Sequence, residues 1–258
     1  MITHRGYEYE PARGRSTIWR DPQMTSQPNV GTTLLDALAG PAAKTAIVLP
    51  ETGTRVTYDA LRQEIDSVAE ALSAAGIRRG DRVAMALPNG LAAIVCFLAA
   101  ATAGAAGPLN PADREDEFRF YLEDTGAKLL LLPEQGGDEA RRAADGRIPV
   151  LTVATSGGSV RIASAAGGGT LEPPSREDVA LILHTSGSTG RPKRVPLTHA
   201  NLTISAGNIV RSYALTPEDV SLCVMPLFHV HGLVASTLAT FASGGTVVAP
   251  AKFNPLSF

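Results

Sequence analysis

The sequence predicts an α/β fold built from mostly parallel sheets with crossover helices. Three observations carry that prediction. From Thr32 onward, short apolar runs alternate with segments of helical periodicity, the pattern of strand–helix–strand units. The stretches Lys128 to Leu132 and Ile148 to Val153 are nearly continuous apolar runs, as in strands covered on both faces. Finally, hydroxyl residues and glycines fall where helices should begin and end.

Taken in order, Thr57 is placed to cap a helix whose core face is Leu61, Ile65, Val68 and Leu72, with Gly76 at its end. A strand is expected over Arg82 to Leu87, with Asn89 as the cap of the segment that follows. That segment, Leu91 to Gly107, is uncharged and Ala-rich. It falls short of the roughly 20 strongly apolar residues that a membrane span needs, so it reads as a buried helix. Asp113 opens a further helix carrying Phe118, Tyr121 and Leu122, and the charged run Arg114 to Glu117 is its solvated start, favoured by the helix dipole. A new βαβ pattern is expected from Val179, with Thr198 capping a helix through Tyr213 and strands at Val220 to Leu227 and Thr246 to Ala249.

This pattern divides the chain into a polar, aperiodic and disordered tail (1–30), a first α/β subdomain (31–174) and the start of a second, incomplete one (175–258). The Gly-, Ser- and Ala-rich stretch Ser156 to Pro174 serves as the connection. Of the 258 residues, 44% are hydrophobic and 19% charged, with a net charge of −2. That balance gives no electrostatic case for nucleic acid. Cys96 and Cys223 lie in apolar runs and read as buried thiols. With no signal-peptide core in residues 1–30 and no span, a cytoplasmic location is expected.

The most informative stretch is Leu183 to Leu197, LHTSGSTGRPKRVPL. Glycines at 187 and 190 let backbone N–H groups approach a ligand closely. The hydroxyls of Thr185, Ser186, Ser188 and Thr189 add donors, and Lys193 adds a point charge. Such a composition alone also suits a flexible linker. The buried-strand pattern before it and the helical pattern after it favour a cradle for a polyanion. It is not a Walker loop, because Arg191 and Pro192 separate Gly190 from Lys193. His229 and His231 lie two apart and would share a side of an extended strand. No Cys/His cluster supplies further ligands at usual spacing, so no metal site is expected. His199 reads as structural, His184 as fixing the entry to the loop, and Phe228 as a pocket wall or a core aromatic.

Thr185 to Lys193, TSGSTGRPK, resembles the phosphate-binding loop of the AMP-forming adenylating enzymes, which include acyl-CoA synthetases, luciferases and peptide-synthetase adenylation domains. Met225 to Leu233, MPLFHVHGL, is similar to that family's second signature, and the upstream segment from Thr57 to Gly90 looks like its N-terminal half. Within the family, VPLTHANL followed by PLFHVHGL is most similar to the oxalate–CoA ligase group. One departure stands out: Arg194 occupies the place where members usually have glycine.

The resemblance implies an ATP-dependent acid–thiol ligase, in which a carboxylate attacks the α-phosphorus of ATP and coenzyme A then displaces AMP. It implies a nucleotide site at Thr185, Ser186, Gly187, Ser188, Thr189, Gly190 and Lys193, with Lys193 and His229 as the catalytic side chains. It also implies Mg²⁺ with the ATP, and a small carboxylic acid as the other substrate. His229 would orient the carboxylate or gate its pocket, since a carboxylate needs no general base at neutral pH. By the same resemblance, the adenine pocket, an acidic metal ligand, a ribose-binding aspartate and a mobile lysine lie downstream. The chain is thus expected to be a truncated N-terminal portion of the large domain, inactive alone and prone to self-association through exposed sheet edges. A peroxisomal address would lie at the C-terminus of a eukaryotic full-length form. Two alternatives stay open: an adenylation domain that loads a carrier protein, and a non-catalytic fragment that pairs with a partner.

Overall fold

The computed structural model describes residues 33–163, 170–185 and 192–252. The tail expected at 1–30 and the loop residues Ser186, Gly187, Ser188, Thr189 and Gly190 lie outside the described residues.

In chain order, β1 (Thr45–Leu49) and β2 (Thr54–Thr57) form an antiparallel hairpin that leads into α1 (Tyr58–Ala74). Then come β3 (Arg82–Met85), α2 (Leu91–Ala103), β4 (Ala105–Pro108), α3 (Glu115–Thr125), β5 (Leu129–Pro133) and α4 (Asp138–Ala144). They are followed by β6 (Val150–Ser156), β7 (Ser159–Ile162), β8 (Val179–Thr185), β9 (Lys193–Thr198) and α5 (His199–Tyr213). The last elements are β10 (Val220–Leu222), a π-helical segment (His231–Leu238), α6 (Ala239–Ser243) and β11 (Thr246–Val248).

Two sheets result. The larger has the order β7-β6-β5-β3-β4-β8-β9, parallel from β6 to β8, with antiparallel β7 and β9 on its edges. The smaller has the order β10-β11-β1-β2, parallel except for β2. Mixed α/β layering with mostly parallel strands is therefore the architecture, as the alternation predicted. Both sheets take strands from either side of residue 174, so the two-unit division expected there does not follow the strand pairing. The stretch after Ser156 also contributes β7 and is more than a connection.

Local chemistry explains the well-placed helices. The Thr57 hydroxyl accepts from the Ala60 N–H at 3.2 Å and starts α1, whose buried face includes Leu61, Ile65, Val68 and Leu72. Thr198 starts α5 with a reciprocal box: its hydroxyl accepts from the Asn201 N–H, and the Asn201 carbonyl oxygen accepts from the Thr198 N–H. α2 is apolar all round and buried at nearly every position, so it packs as a central helix of the core.

Three local expectations are corrected. Leu91 to Gly107 is not one helix: α2 stops at Ala103 and β4 follows at once. A Cβ at Gly104 would lie 2.4 Å from the Asp81 carbonyl oxygen, so only glycine lets the chain turn this close to the β3 approach. Val179 opens an antiparallel hairpin, β8–β9, and not a βαβ unit. Asn89 does not cap α2; Gly90 takes that position, and the Asn89 side chain turns to another segment altogether.

Candidate active site

β8 and β9 carry the hydroxyl-and-glycine stretch between them. Thr185 stands opposite Lys193 in the ladder, and His184 stands opposite Arg194. The residues on either side of the stretch are thus held at a fixed spacing by sheet pairing, on a strand whose next neighbour is the buried β4.

A clasp to α3 holds the same hairpin. The Asp124 carboxylate lies 3.0 Å from His184 Nε2 and 3.9 Å from Arg194 Nε. Arg194 Nη1 also donates to the Asp124 backbone carbonyl, in the last turn of α3 where cationic groups complement the helix dipole. The His184 ring packs against Tyr121 with centroids 4.7 Å apart. Arg194, where a glycine was the expectation by resemblance, therefore sits in regular strand and reaches a partner that only a long side chain can reach.

The second signature forms a tight turn after β10. The His229 N–H bonds to the Pro226 carbonyl at 3.1 Å, and Gly232 approaches so closely that a Cβ there would lie 2.4 Å from the same oxygen. Thr237 donates to the Gly232 carbonyl at 2.8 Å, inside the π-helical segment. His229 and His231 therefore do not lie on an extended strand. His231 opens the helix, and His229 lies in the turn before it. No group of three or more His, Cys, Asp or Glu that could hold a metal ion occurs among the described residues.

The two signatures meet at one cavity of about 310 Å³. Its walls are Pro108, Leu109, Asn110, Asp113, Tyr121, His184, Thr185, Pro192, Phe228 and His229. Thr185 and Pro192 flank the glycine stretch, whereas Phe228 and His229 stack on each other with centroids 4.5 Å apart. Lys193 is exposed at the loop end of the hairpin and lies outside the described lining.

Several lining residues went unassigned in the sequence. Pro108 ends β4, Leu109 and Asn110 follow it, and Thr185 ends the neighbouring β8. The signal that could have found them is topological: ligands of parallel sheets bind beyond the carboxyl ends of the strands. The Asn110 amide donates to Asp113 Oδ1 at 2.8 Å and fixes that carboxyl at the rim. Burial raises the Asp113 carboxyl above its ordinary value, only partly offset by this hydrogen bond, and nearby Glu117 raises it further. Burial raises the Tyr121 hydroxyl in the same way, with Asp113 and Glu117 adding to the shift.

Residues 35–258 match the family model described as AMP-binding enzyme. The chain belongs to that family. It is 40% identical over 216 residues to the oxalate–CoA ligase of Arabidopsis thaliana, covering 79% of this chain and 42% of that protein. It is 35% identical over 249 residues to the oxalate–CoA ligase of Saccharomyces cerevisiae, covering 83% of this chain and 46% of that protein. Its fold superposes on ATP-bound MatB from Rhodopseudomonas palustris with a TM-score of 0.76 at 29% identity, over 88% of this chain and 46% of MatB. This AMP-binding enzyme chain thus spans less than half the length of these three relatives.

Proposed function

We propose that this chain carries the phosphate-binding and acid-facing part of an ATP-dependent acid–thiol ligase that works through an acyl-adenylate. One observation carries the reading: two motifs some 40 residues apart in sequence, TSGSTGRPK and PLFHVHG, border a single cavity. Its lining takes in the loop end of the hairpin at Thr185 and Pro192 and the aromatic pair Phe228–His229. The relatives named as oxalate–CoA ligases and the ATP-bound MatB fold support the same assignment.

The chemistry follows from charge. Attack of a carboxylate on the α-phosphorus builds negative charge on the departing pyrophosphate. Donors and cations set beforehand around the β- and γ-phosphates stabilise that charge without reorganising as the reaction proceeds. In this chain those groups are Lys193, the hydroxyls of Thr185, Ser186, Ser188 and Thr189, and the backbone N–H groups at Gly187 and Gly190. Mg²⁺ bound to the nucleotide would neutralise part of the triphosphate charge. His229, exposed at the rim beside Phe228, faces the acid and orients it. The acid itself is a small carboxylate of the oxalate type, and coenzyme A is the acceptor. The location is cytoplasmic; among the described residues no helix is long and apolar enough to cross a membrane.

The test is calorimetric. The 258-residue chain should bind MgATP, and Lys193→Ala should weaken that binding roughly tenfold, the size of a charge-assisted contact to phosphate. Equal affinity in the two proteins removes the assignment. The same purified chain should form no AMP in the presence of a carboxylic acid and coenzyme A, because the family resemblance implies that further groups of the reaction lie in the part of the relatives that it does not span.

A further inference from the structure

Asn89 sits just after β3, at the start of the α2 approach, and its side chain leaves that neighbourhood entirely. Its amide nitrogen donates to the Met225 carbonyl at 3.2 Å, and its amide oxygen accepts from the Leu227 N–H at 2.9 Å. Both partners lie more than 130 residues away, on the segment that runs directly into Phe228 and His229. One planar side chain therefore satisfies a donor and an acceptor of the same short turn, as an adjacent strand would.

The surroundings are built for this reach. Gly90 adopts φ 130°, a conformation that L side chains rarely adopt, and so lets the chain break sharply between Asn89 and α2. On the other side, the Met225–Pro226 carbonyls are crowded against Gly232. The turn is thus pressed from within by the π-helical segment and held from without by Asn89. Asn89 also belongs to the connection after the larger sheet, whereas Met225 follows β10 of the smaller one. The two sheets are joined here beside the cavity.

We infer that Asn89 is a positioning residue of the site: it fixes the Met225–Leu227 backbone so that Phe228 and His229 stand as the cavity wall facing Thr185 and Pro192. It touches none of the cavity contents and acts through the turn. The Asn89 amide is specific to this role. Aspartate has the same shape and keeps the acceptor for Leu227, but it sets a carboxylate oxygen against the Met225 carbonyl in place of a donor.

The experiment compares Asn89→Ala, Asn89→Asp and the parent by amide hydrogen exchange and by the imidazole resonances of His229. In Asn89→Ala the Leu227 amide should lose protection and the His229 resonances should move. In Asn89→Asp the Leu227 amide should stay protected while the His229 resonances still move. Unchanged exchange at Leu227 together with unchanged His229 resonances in Asn89→Ala overturns the inference.

A binding arm, which rests on the proposed function, uses MgATP. Asn89→Ala should weaken it about fivefold, the loss expected for about one net hydrogen bond. In a Phe228→Ala/His229→Ala background the same substitution should change it less than twofold, because nothing is left for Asn89 to position. Equal losses in both backgrounds overturn the positioning role. If the parent binds no MgATP, the ligand reading of the cavity fails, and the exchange and resonance arms still decide Asn89. Should Asn89→Ala not fold, the isosteric Asn89→Asp carries the comparison.

Discussion

His199 and His229 mark two contrasting regions, and the contrast separates a histidine that holds the fold from one that lines the cavity. At the buried junction, His199 is 1% exposed and both ring nitrogens are used. Nδ1 accepts from the Leu34 N–H at 3.2 Å, and Nε2 donates to the Ala101 carbonyl at 3.1 Å, one of the last-turn carbonyls of α2 that the helix leaves unpaired. At the cavity rim, His229 is exposed, its ring stacks on Phe228, and no hydrogen bond to the ring occurs among the described residues. One imidazole is fully engaged by the protein; the other is left available to something else.

Substitution should separate the two at once. His199→Ala strands a buried N–H and a buried carbonyl and opens a cavity, so unfolding in urea should show a loss of about 2–4 kcal/mol. His229→Ala should shift the urea midpoint by less than about 0.5 kcal/mol, with its effect confined to ligand binding. Equal destabilisation by the two changes ends the distinction.

Acid sharpens it. Burial pushes His199 below the ordinary histidine value of 6.5, partly offset by its bond to the Ala101 carbonyl and by Asp178 and Asp36. The unfolded chain therefore takes up a proton that the folded chain resists. Stability should be whole above pH 6.5 and fall as the pH drops below it. His199→Asn, titrated in parallel, should show a shallower fall between pH 6.5 and 5; identical slopes would contradict the assignment.

Smaller effects are expected at the rim. Arg194→Gly removes the clasp to the end of α3. Because Arg194 is 44% exposed, the thermal cost should be no more than about 1 kcal/mol, with faster amide exchange over β9 as the clearer sign. Asp113→Asn removes a carboxyl from the cavity lining and should tighten binding of inorganic pyrophosphate by about twofold. An unchanged or weaker affinity would show that the polyanion lies far from that wall.

How legible this was from sequence depends on where the determining forces act. The caps at Thr57 and Thr198, and the apolar face of α1, are local chemistry and were visible as such. So were the two signature motifs, because their residue types are unusual together. The direction of β9 was not, since Lys193 to Thr198 reads equally well as a loop exit or a strand until its pairing with β8 is known. The β1–β2 hairpin escaped notice, as its strands are short and β1 pairs with β11, some 200 residues further along the chain. Asn89 was assigned by proximity to α2, whereas its partners lie more than a hundred residues away. Arg194 looked like a departure from pattern because its reason, Asp124, is on another element.

The pairing of β1 with β11 sets a schedule for making the protein. On the side away from β2, Ile47 and Val48 find their ladder partners only at Val247 and Val248, and the Thr246 hydroxyl closes on the Thr45 carbonyl. A ribosome adding about 5–20 residues per second needs roughly 10–40 s between those segments. Throughout that interval the nascent β1 edge stands open on the side that β11 will occupy. The smaller sheet therefore assembles only after the chain has been made through Val248, and β1 waits on that side until then.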